Sequence, residues 1–160
     1  MDFVPMSENS LYIFVKGRAG KAAFEITDEK FNCLHYQINE PLLNKEGGKI
    51  FHGHADLKAI EASLEYLVAN RGKNGIPELP SIFLFTTYEL HYHIAVGLKK
   101  PRNDILINFK ENIEKLKDRL HRNSVSSFDD VKFYWIPEGF ENRFEHVNQL
   151  LDGEPPSLKP

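Results

Sequence analysis

The sequence predicts an α/β domain built on one mixed five-stranded sheet with helices on its faces. Three observations carry that expectation. Three short apolar segments near the N-terminus are separated only by brief polar turns, the pattern of an antiparallel meander. Residues 81–87, "SIFLFTT", form a nearly unbroken apolar run, as expected of a central strand covered on both faces. Elsewhere apolar residues recur at helical spacing, with one last strand between helices. The order along the chain is β-β-β-α-β-α-α-β-α. A hairpin set followed by strand–helix units folds as a single sheet with helices packed on it.

Each element has its own justification. Residues 10–17 are a strand of aromatic and β-branched residues that ends at Lys16 and Gly17, and "RAGK" (18–21) is a turn. Residues 22–27 are the second strand, with Ala22, Phe24 and Ile26 on one face by period 2. "DEK" (28–30) turns into the third strand, 31–38, where Phe31, Cys33, His35 and Gln37 alternate with Asn32, Leu34, Tyr36 and Ile38. Residues 39–53 are a loop. In 54–72 the spacing of Leu57, Ile60, Leu64, Leu67 and Val68 predicts an amphipathic helix stopped at Gly72. After the loop 76–80 and the central strand comes a helix over 88–98, with Leu90, Ile94 and Leu98 inward and Gly97 and Pro101 at its end. Ile105, Phe109, Ile113, Leu116 and Leu120 line a longer helix, 103–123. Residues 125–130 are a turn, and 131–137 are the fifth strand, cut by Pro137, with Phe133 and Trp135 sharing a core-facing side. Phe144, Val147, Leu150 and Leu151 face inward from a last helix over 141–153, before a frayed tail.

Composition excludes several classes. The chain has 160 residues, 41% apolar and 27% charged, which suits one soluble domain over its whole length with a core near 10–152. Such a domain buries about 68–70% of its unfolded surface and needs no disulfide or metal to fold. Cys33 is the only cysteine, so there is no internal disulfide and no CxxC site, and a reducing compartment is expected. The N-terminus lacks a basic start and an apolar core, and no apolar stretch approaches about 18 residues, so a cytoplasmic protein with no membrane association is the expectation. A net charge of −3 argues against a strongly basic, non-specific nucleic-acid binder.

Segments along the chain resemble the ribonuclease H-like superfamily, of the bacterial and retroviral type. "YIFVKGRAGKAAFEI" resembles the family's first hairpin, in which a strand ends in Asp-Gly before a Gly-rich turn. "HADLKAIEASLEYL" resembles its first helix, and "IFLFTTYELHYHI" its fourth strand, which ends in Thr-Asp-Ser. "VKFYWIPEGFENRFEHVNQLL" resembles its fifth strand, Trp-Val-Pro-type loop and last helix. The resemblance implies the family's mixed five-stranded sheet, three antiparallel N-terminal strands and then βα units, with helices on both faces. It also implies four acidic side chains around two Mg²⁺ ions, one activating a water and one stabilising the leaving oxygen. Mg²⁺ takes hard oxygen ligands, so those positions require carboxylates.

Carried over residue by residue, the four positions fall on Lys16, Asp56, Thr87 and Glu145, the last if Phe144 takes the family's buried small-residue place. Without that one-residue gap the fourth is His146. Two carboxylates remain, each of altered length. The metal-bridging position holds a cation, which would repel Mg²⁺ and pair with Asp56, a contact worth up to about 1 kcal/mol if exposed. The resemblance therefore implies the fold with a degenerate active site.

Other constellations carry less. His52 and His54 are expected in the loop before the first helix, where His54 caps the helix or is solvated; with Asp56 and Glu145 it is the set that would hold a metal if any does. His91 and His93 fall on a helix about 200° apart and do not converge. "GRAGK" (17–21) lacks the glycine spacing and following Ser/Thr of a phosphate loop and reads as a hairpin turn. No GxSxG is present, and Cys33 is expected to be a buried small hydrophobe. Residues 99–122 carry eight Lys/Arg against four Asp/Glu, +4 locally and −7 for the remainder. In bacterial-type ribonucleases H a basic helix in this region grips the hybrid; an ordinary solvated helix face with pairs such as Glu111 and Lys115 is the competing reading. Lys16, Arg18 and Lys21 with Lys99, Lys100, Arg102 and Lys110 are the candidate nucleic-acid contacts.

The expected function is a catalytically inactive ribonuclease H-like domain that binds an RNA/DNA hybrid or other nucleic acid, or serves in a nucleic-acid-processing complex, with no cofactor. One alternative is a protein-interaction module without nucleic-acid affinity. The other is a divergent nuclease using Asp56, Glu145, His54 and His146, for which Mg²⁺ or Mn²⁺ would be the cofactor.

Overall fold

The computed structural model describes residues 10–77, 81–121, 131–136 and 144–153. The elements are β1 (Ser10–Arg18), β2 (Lys21–Thr27), β3 (Cys33–Asn39), α1 (His52–Asn70), β4 (Ser81–Thr86), α2 (Glu89–Ala95), α3 (Asp104–His121), β5 (Val131–Trp135) and α4 (Glu145–Leu151). The sheet order is β3-β2-β1-β4-β5. β1 pairs antiparallel with β2 from Tyr12↔Thr27 to Arg18↔Lys21, and β2 in turn pairs antiparallel with β3. β1 pairs parallel with β4, and β4 with β5. The expected meander followed by parallel strand–helix units is therefore the observed topology.

Strand alternation divides the core in two. Ile13, Val15, Ala22, Phe24, Ile26, Ile82 and Leu84 face α1, α2 and α3, where they meet Leu57, Ile60, Leu64, Phe109 and Ile113. Tyr12, Phe14, Ala23, Phe83 and Phe85 face the other way, onto Phe144 at the N-cap of α4 and Val147, Leu150 and Leu151 within it. β1 and β4 are buried on both sides, which is why their sequences run apolar without alternation. Full burial of each such Leu, Ile or Phe contributes roughly 1.5–3 kcal/mol.

"GRAGK" is a hairpin turn, with only Ala19 and Gly20 between the paired Arg18 and Lys21. Gly20 has φ 76°, the left-handed value such a turn demands.

Several boundaries differ from the sequence expectation. β3 starts at Cys33, after Phe31 at φ 65°, and the register shifts at Ile26/Thr27, opposite Leu34. That bulge breaks the expected alternation: Leu34 and His35 both lie toward α1, His35 stacking on Tyr66 at 3.8 Å, while Phe31 and Ile38 pack on the α4 side. α1 begins at His52, so His52 and His54 are helical rather than in a loop. α2 ends at Ala95, three residues early, and Leu98 is 68% exposed. Ile105, in the first turn of α3, is also exposed, as is Trp135 at the sheet edge. The expected turn 125–130, Pro137, the first residues of 141–153 and the tail lie outside the described residues. Among the described residues no helix is long and apolar enough to cross a membrane.

Candidate functional site

The site forms where the first turn of α1 meets the C-terminal ends of β1 and β4. Gly17 makes the approach possible. A Cβ there would stand 2.2 Å from the Asp56 nitrogen and 2.7 Å from the His52 carbonyl oxygen, so only glycine lets the helix backbone rest on the strand. Asp56 is thereby set against β4 and is 2% exposed.

Its carboxylate is enclosed by three contacts. Thr86 Oγ1 donates to Oδ2 at 3.0 Å, with Oδ1 at 3.3 Å. His91 Nδ1 lies 2.6 Å from Oδ2. A carboxylate only accepts, so Nδ1 carries the hydrogen. Thr86 Oγ1 also accepts from the Tyr88 backbone N–H at 3.1 Å, which ties the network to the start of α2. His91, itself 2% exposed, stacks on Tyr88 at 4.1 Å and lies against Phe109. Thr86 reaches Asp56 because period 2 along β4 puts it on the α1 side with Ile82 and Leu84.

The remaining sequence candidates are dispersed around this network. Lys16 is half-buried at the end of β1 and shares the strand face of Tyr12 and Phe14, the α4 side. Asp56 turns to Thr86 and His91, so the expected Lys16–Asp56 ion pair is replaced by a Thr–Asp–His network. Thr87 is half-buried just past β4, and Glu145 is exposed in the first turn of α4. His146 lies in α4, its side chain outside the description. His54 is neither a cap nor fully solvated. Phe51 occupies the N-cap position without a side-chain bond, and His54 lines a polar cleft of about 230 Å³ between α1 and α3 with Lys58, Glu61, Asn108 and Asn112. Burial, then the nearby Lys58 and His91 charges, hold the His54 imidazole below its ordinary range. Burial pushes the Glu61 carboxyl up, although Asn112 Nδ2 donates to it at 2.7 Å. Among the described residues, no three His, Cys, Asp or Glu side chains converge in a way that could hold a metal ion.

The candidate basic contacts separate into two sets. Arg18 is paired with Asp152 just past α4. Lys21 Nζ donates to the Leu151 carbonyl at 3.3 Å and lies 3.4 Å from Glu40. Lys110 bonds Glu114 at 3.0 Å and the Ala95 carbonyl at 3.2 Å. Lys99, Lys100 and Arg102, between α2 and α3, are not held by any ion pair among the described residues. Cys33 is half-buried, and burial, then Glu25, push its thiol up to about 12, consistent with a packing role.

Thr86, Tyr88 and His91 are the members that sequence reasoning missed. The signal for Thr86 was the alternation Ile82, Leu84, Thr86, and for His91 the spacing i, i+3 to the buried Ile94.

Neither a protein-family model nor a curated protein sequence matches the chain. Solved structures do. LC11-RNase H1, isolated from compost by a metagenomic approach, matches with a TM-score of 0.62 and 22% identity over 91% of this chain and 97% of that one. The same protein in complex with an RNA/DNA hybrid matches with a TM-score of 0.64 and 21% identity over 84% and 90%. RNase H1 from the halophilic archaeon Halobacterium salinarum matches with a TM-score of 0.65 and 15% identity over 90% and 98%. With the sheet order β3-β2-β1-β4-β5, these likenesses establish that the chain has a ribonuclease H-like fold.

Proposed function

We propose that this chain is a ribonuclease H-like domain without metal-dependent nuclease activity that works by binding nucleic acid. The enclosure of Asp56 is the observation that carries the reading. Two-metal hydrolysis needs several carboxylates open to the same solvent-filled space. Here the Asp56 carboxylate is buried and bonded by His91 and Thr86, and the other family positions hold Lys16, the neutral Thr87 and an exposed Glu145. These residues do not fit a magnesium pair, and no catalytic step is derived through one. The rearranged nuclease set has no better support, because Glu145 begins the helix on one face of the sheet and His54 lies on a helix covering the other.

The nucleic-acid contact falls to the end of β1 and its hairpin, where Lys16, Arg18 and Lys21 follow one another. The Arg18–Asp152 and Lys21–Glu40 pairs are partly exposed. Such pairs are worth roughly 0–1 kcal/mol, so a phosphate can replace the carboxylate. One structural neighbour binds an RNA/DNA hybrid, which gives the class of ligand to try first. The test is a titration of the chain against hybrid, duplex and single-stranded oligonucleotides at low salt, with and without Mg²⁺, beside a cleavage assay. Expected are no cleavage, binding indifferent to Mg²⁺, and an affinity that falls with salt. Lys16→Asp, which restores a carboxylate at the family position, is expected to remain inactive because Asp56 stays enclosed. Mg²⁺-dependent cleavage by the wild-type chain overturns the proposal, as does failure to bind any of the three ligands.

A further inference from the structure

The connection from α2 to α3 exposes apolar surface that neither the Asp56 network nor the β1 hairpin uses. Leu90 and Ile94 from α2, Leu98 from the connection and Leu106 from α3 form the floor of a groove of about 740 Å³. Lys99, Lys100 and Arg102 line the same groove. Of the eight large hydrophobic side chains exposed among the described residues, Leu98 in this groove is the most exposed, at 68%. An apolar cluster rimmed by polar groups marks an interaction surface more often than a scatter of single residues does.

The exposure of Leu98 is built into the backbone. α2 stops at Ala95, Gly97 takes φ 85°, and the Leu98 and Lys99 N–H groups both donate to the His93 carbonyl, at 2.8 and 3.2 Å. This ties down the end of the helix and turns Leu98 outward. Lys110 Nζ on α3 donates to the Ala95 carbonyl, fixing the end of α2 against α3, so the groove walls are set before anything enters.

We propose that this groove docks a partner protein through a short acidic segment carrying apolar side chains. Charge selects the acidic character: residues 96–107 contain Lys99, Lys100 and Arg102 against Asp104 alone, +2 in a chain of net −3. The floor selects the apolar anchors, because leucine side chains gain from water-excluding contact that a phosphate backbone does not supply. A nucleic acid would use the three cations and leave Leu98 in water.

The test uses the full chain and a displayed library of random short peptides. The enriched peptides are expected to combine Asp or Glu with large apolar residues. Their synthetic versions are expected to lose about tenfold or more in affinity on Leu98→Glu and, separately, on Lys99→Glu/Lys100→Glu. Lys115→Glu, a charge reversal elsewhere on α3, is the control and is expected to leave binding unchanged. Circular dichroism checks that each variant folds, which the exposure of Leu98 favours. Several results overturn the proposal. They are an absence of enrichment, enriched peptides lacking either the acidic or the apolar character, binding indifferent to Leu98→Glu, and displacement of the peptides by an RNA/DNA hybrid whose own binding ignores Leu98→Glu. Sedimentation showing a dimer that Leu98→Glu dissociates would assign the groove to a second copy and overturn it equally.

Discussion

Replacing His91 by phenylalanine isolates the enclosure of Asp56. The His91 ring stacks on Tyr88 at 4.1 Å and lies 5.8 Å from Phe109, so His91→Phe keeps an aromatic ring in the same packing. It removes the Nδ1–H that stands 2.6 Å from Asp56 Oδ2. A carboxylate with 2% of its residue exposed is then left with Thr86 Oγ1 alone. Breaking one partner of a buried, hydrogen-bonded pair costs about 3–5 kcal/mol, a large share of the ~5–15 kcal/mol that holds a domain of ordinary stability. Urea unfolding followed by circular dichroism is the assay, and the midpoint should fall by about 1 M or more with an unchanged slope. Asp56→Leu/His91→Phe removes both hydrogen-bonding partners together, and the double variant should be more stable than the sum of the single losses by about 1–3 kcal/mol. A His91→Phe chain within about 0.5 kcal/mol of wild type, or single losses that simply add, would refute the coupled network.

Three further outcomes follow from other parts of the fold. Gly17→Ala places a methyl 2.2 Å from the Asp56 nitrogen, a backbone atom that cannot step aside, so a loss of about 3 kcal/mol or more is expected in the same unfolding assay. Burial raises the Glu61 carboxyl above its ordinary 4.5, so the folded state holds that proton more tightly than the unfolded chain. The associated stability is present below the unfolded value and is lost as pH rises from there through the folded one. Glu61→Gln, which keeps an oxygen for Asn112, should flatten that fall and leave the chain at least as stable at neutral pH, measured as urea midpoints over a pH series. Cys33, with its thiol pushed up to about 12, should resist iodoacetamide at neutral pH in the folded protein and react once the chain is unfolded.

The fold was legible because its signals are short-range. Period 2 in Ala22, Phe24 and Ile26, helical spacing in Leu57, Ile60, Leu64 and Leu67, and the two-sided apolar run of β4 each survive in the structure with the faces expected. The failures sit where a local event overrides periodicity. The shift at Ile26/Thr27 puts Leu34 on the same side as His35, so the alternation expected through β3 breaks at that one point. Leu98 continues the spacing of Leu90 and Ile94, but Gly97 can adopt φ 85° and the chain leaves the helix before reaching it. The two extra residues at the start of α1 had no capping residue to announce them, since Phe51 stands at the N-cap.

Asp56 is the sequence candidate around which the structure builds a network, and strand parity decides which residues join it. Matching by motif assigns the family carboxylate after the fourth strand to Thr87, which is a statement about sequence spacing. Which threonine meets Asp56 depends on the side of the sheet, and alternation through Ile82 and Leu84 gives that place to Thr86. Motif matching likewise places Lys16 beside Asp56, whereas alternation through Tyr12 and Phe14 puts Lys16 on the α4 side. Asp56 on the α1 side then needs a partner from a neighbouring element, and α2 supplies His91 in register with the buried Ile94. A buried carboxylate without such a donor would leave a packed helix with an uncompensated polar group, so a buried Asp56 and a buried His91 belong to one physical requirement. The same requirement holds the carboxylate away from solvent, and that is the reason Asp56 acts as a strut between α1, β4 and α2.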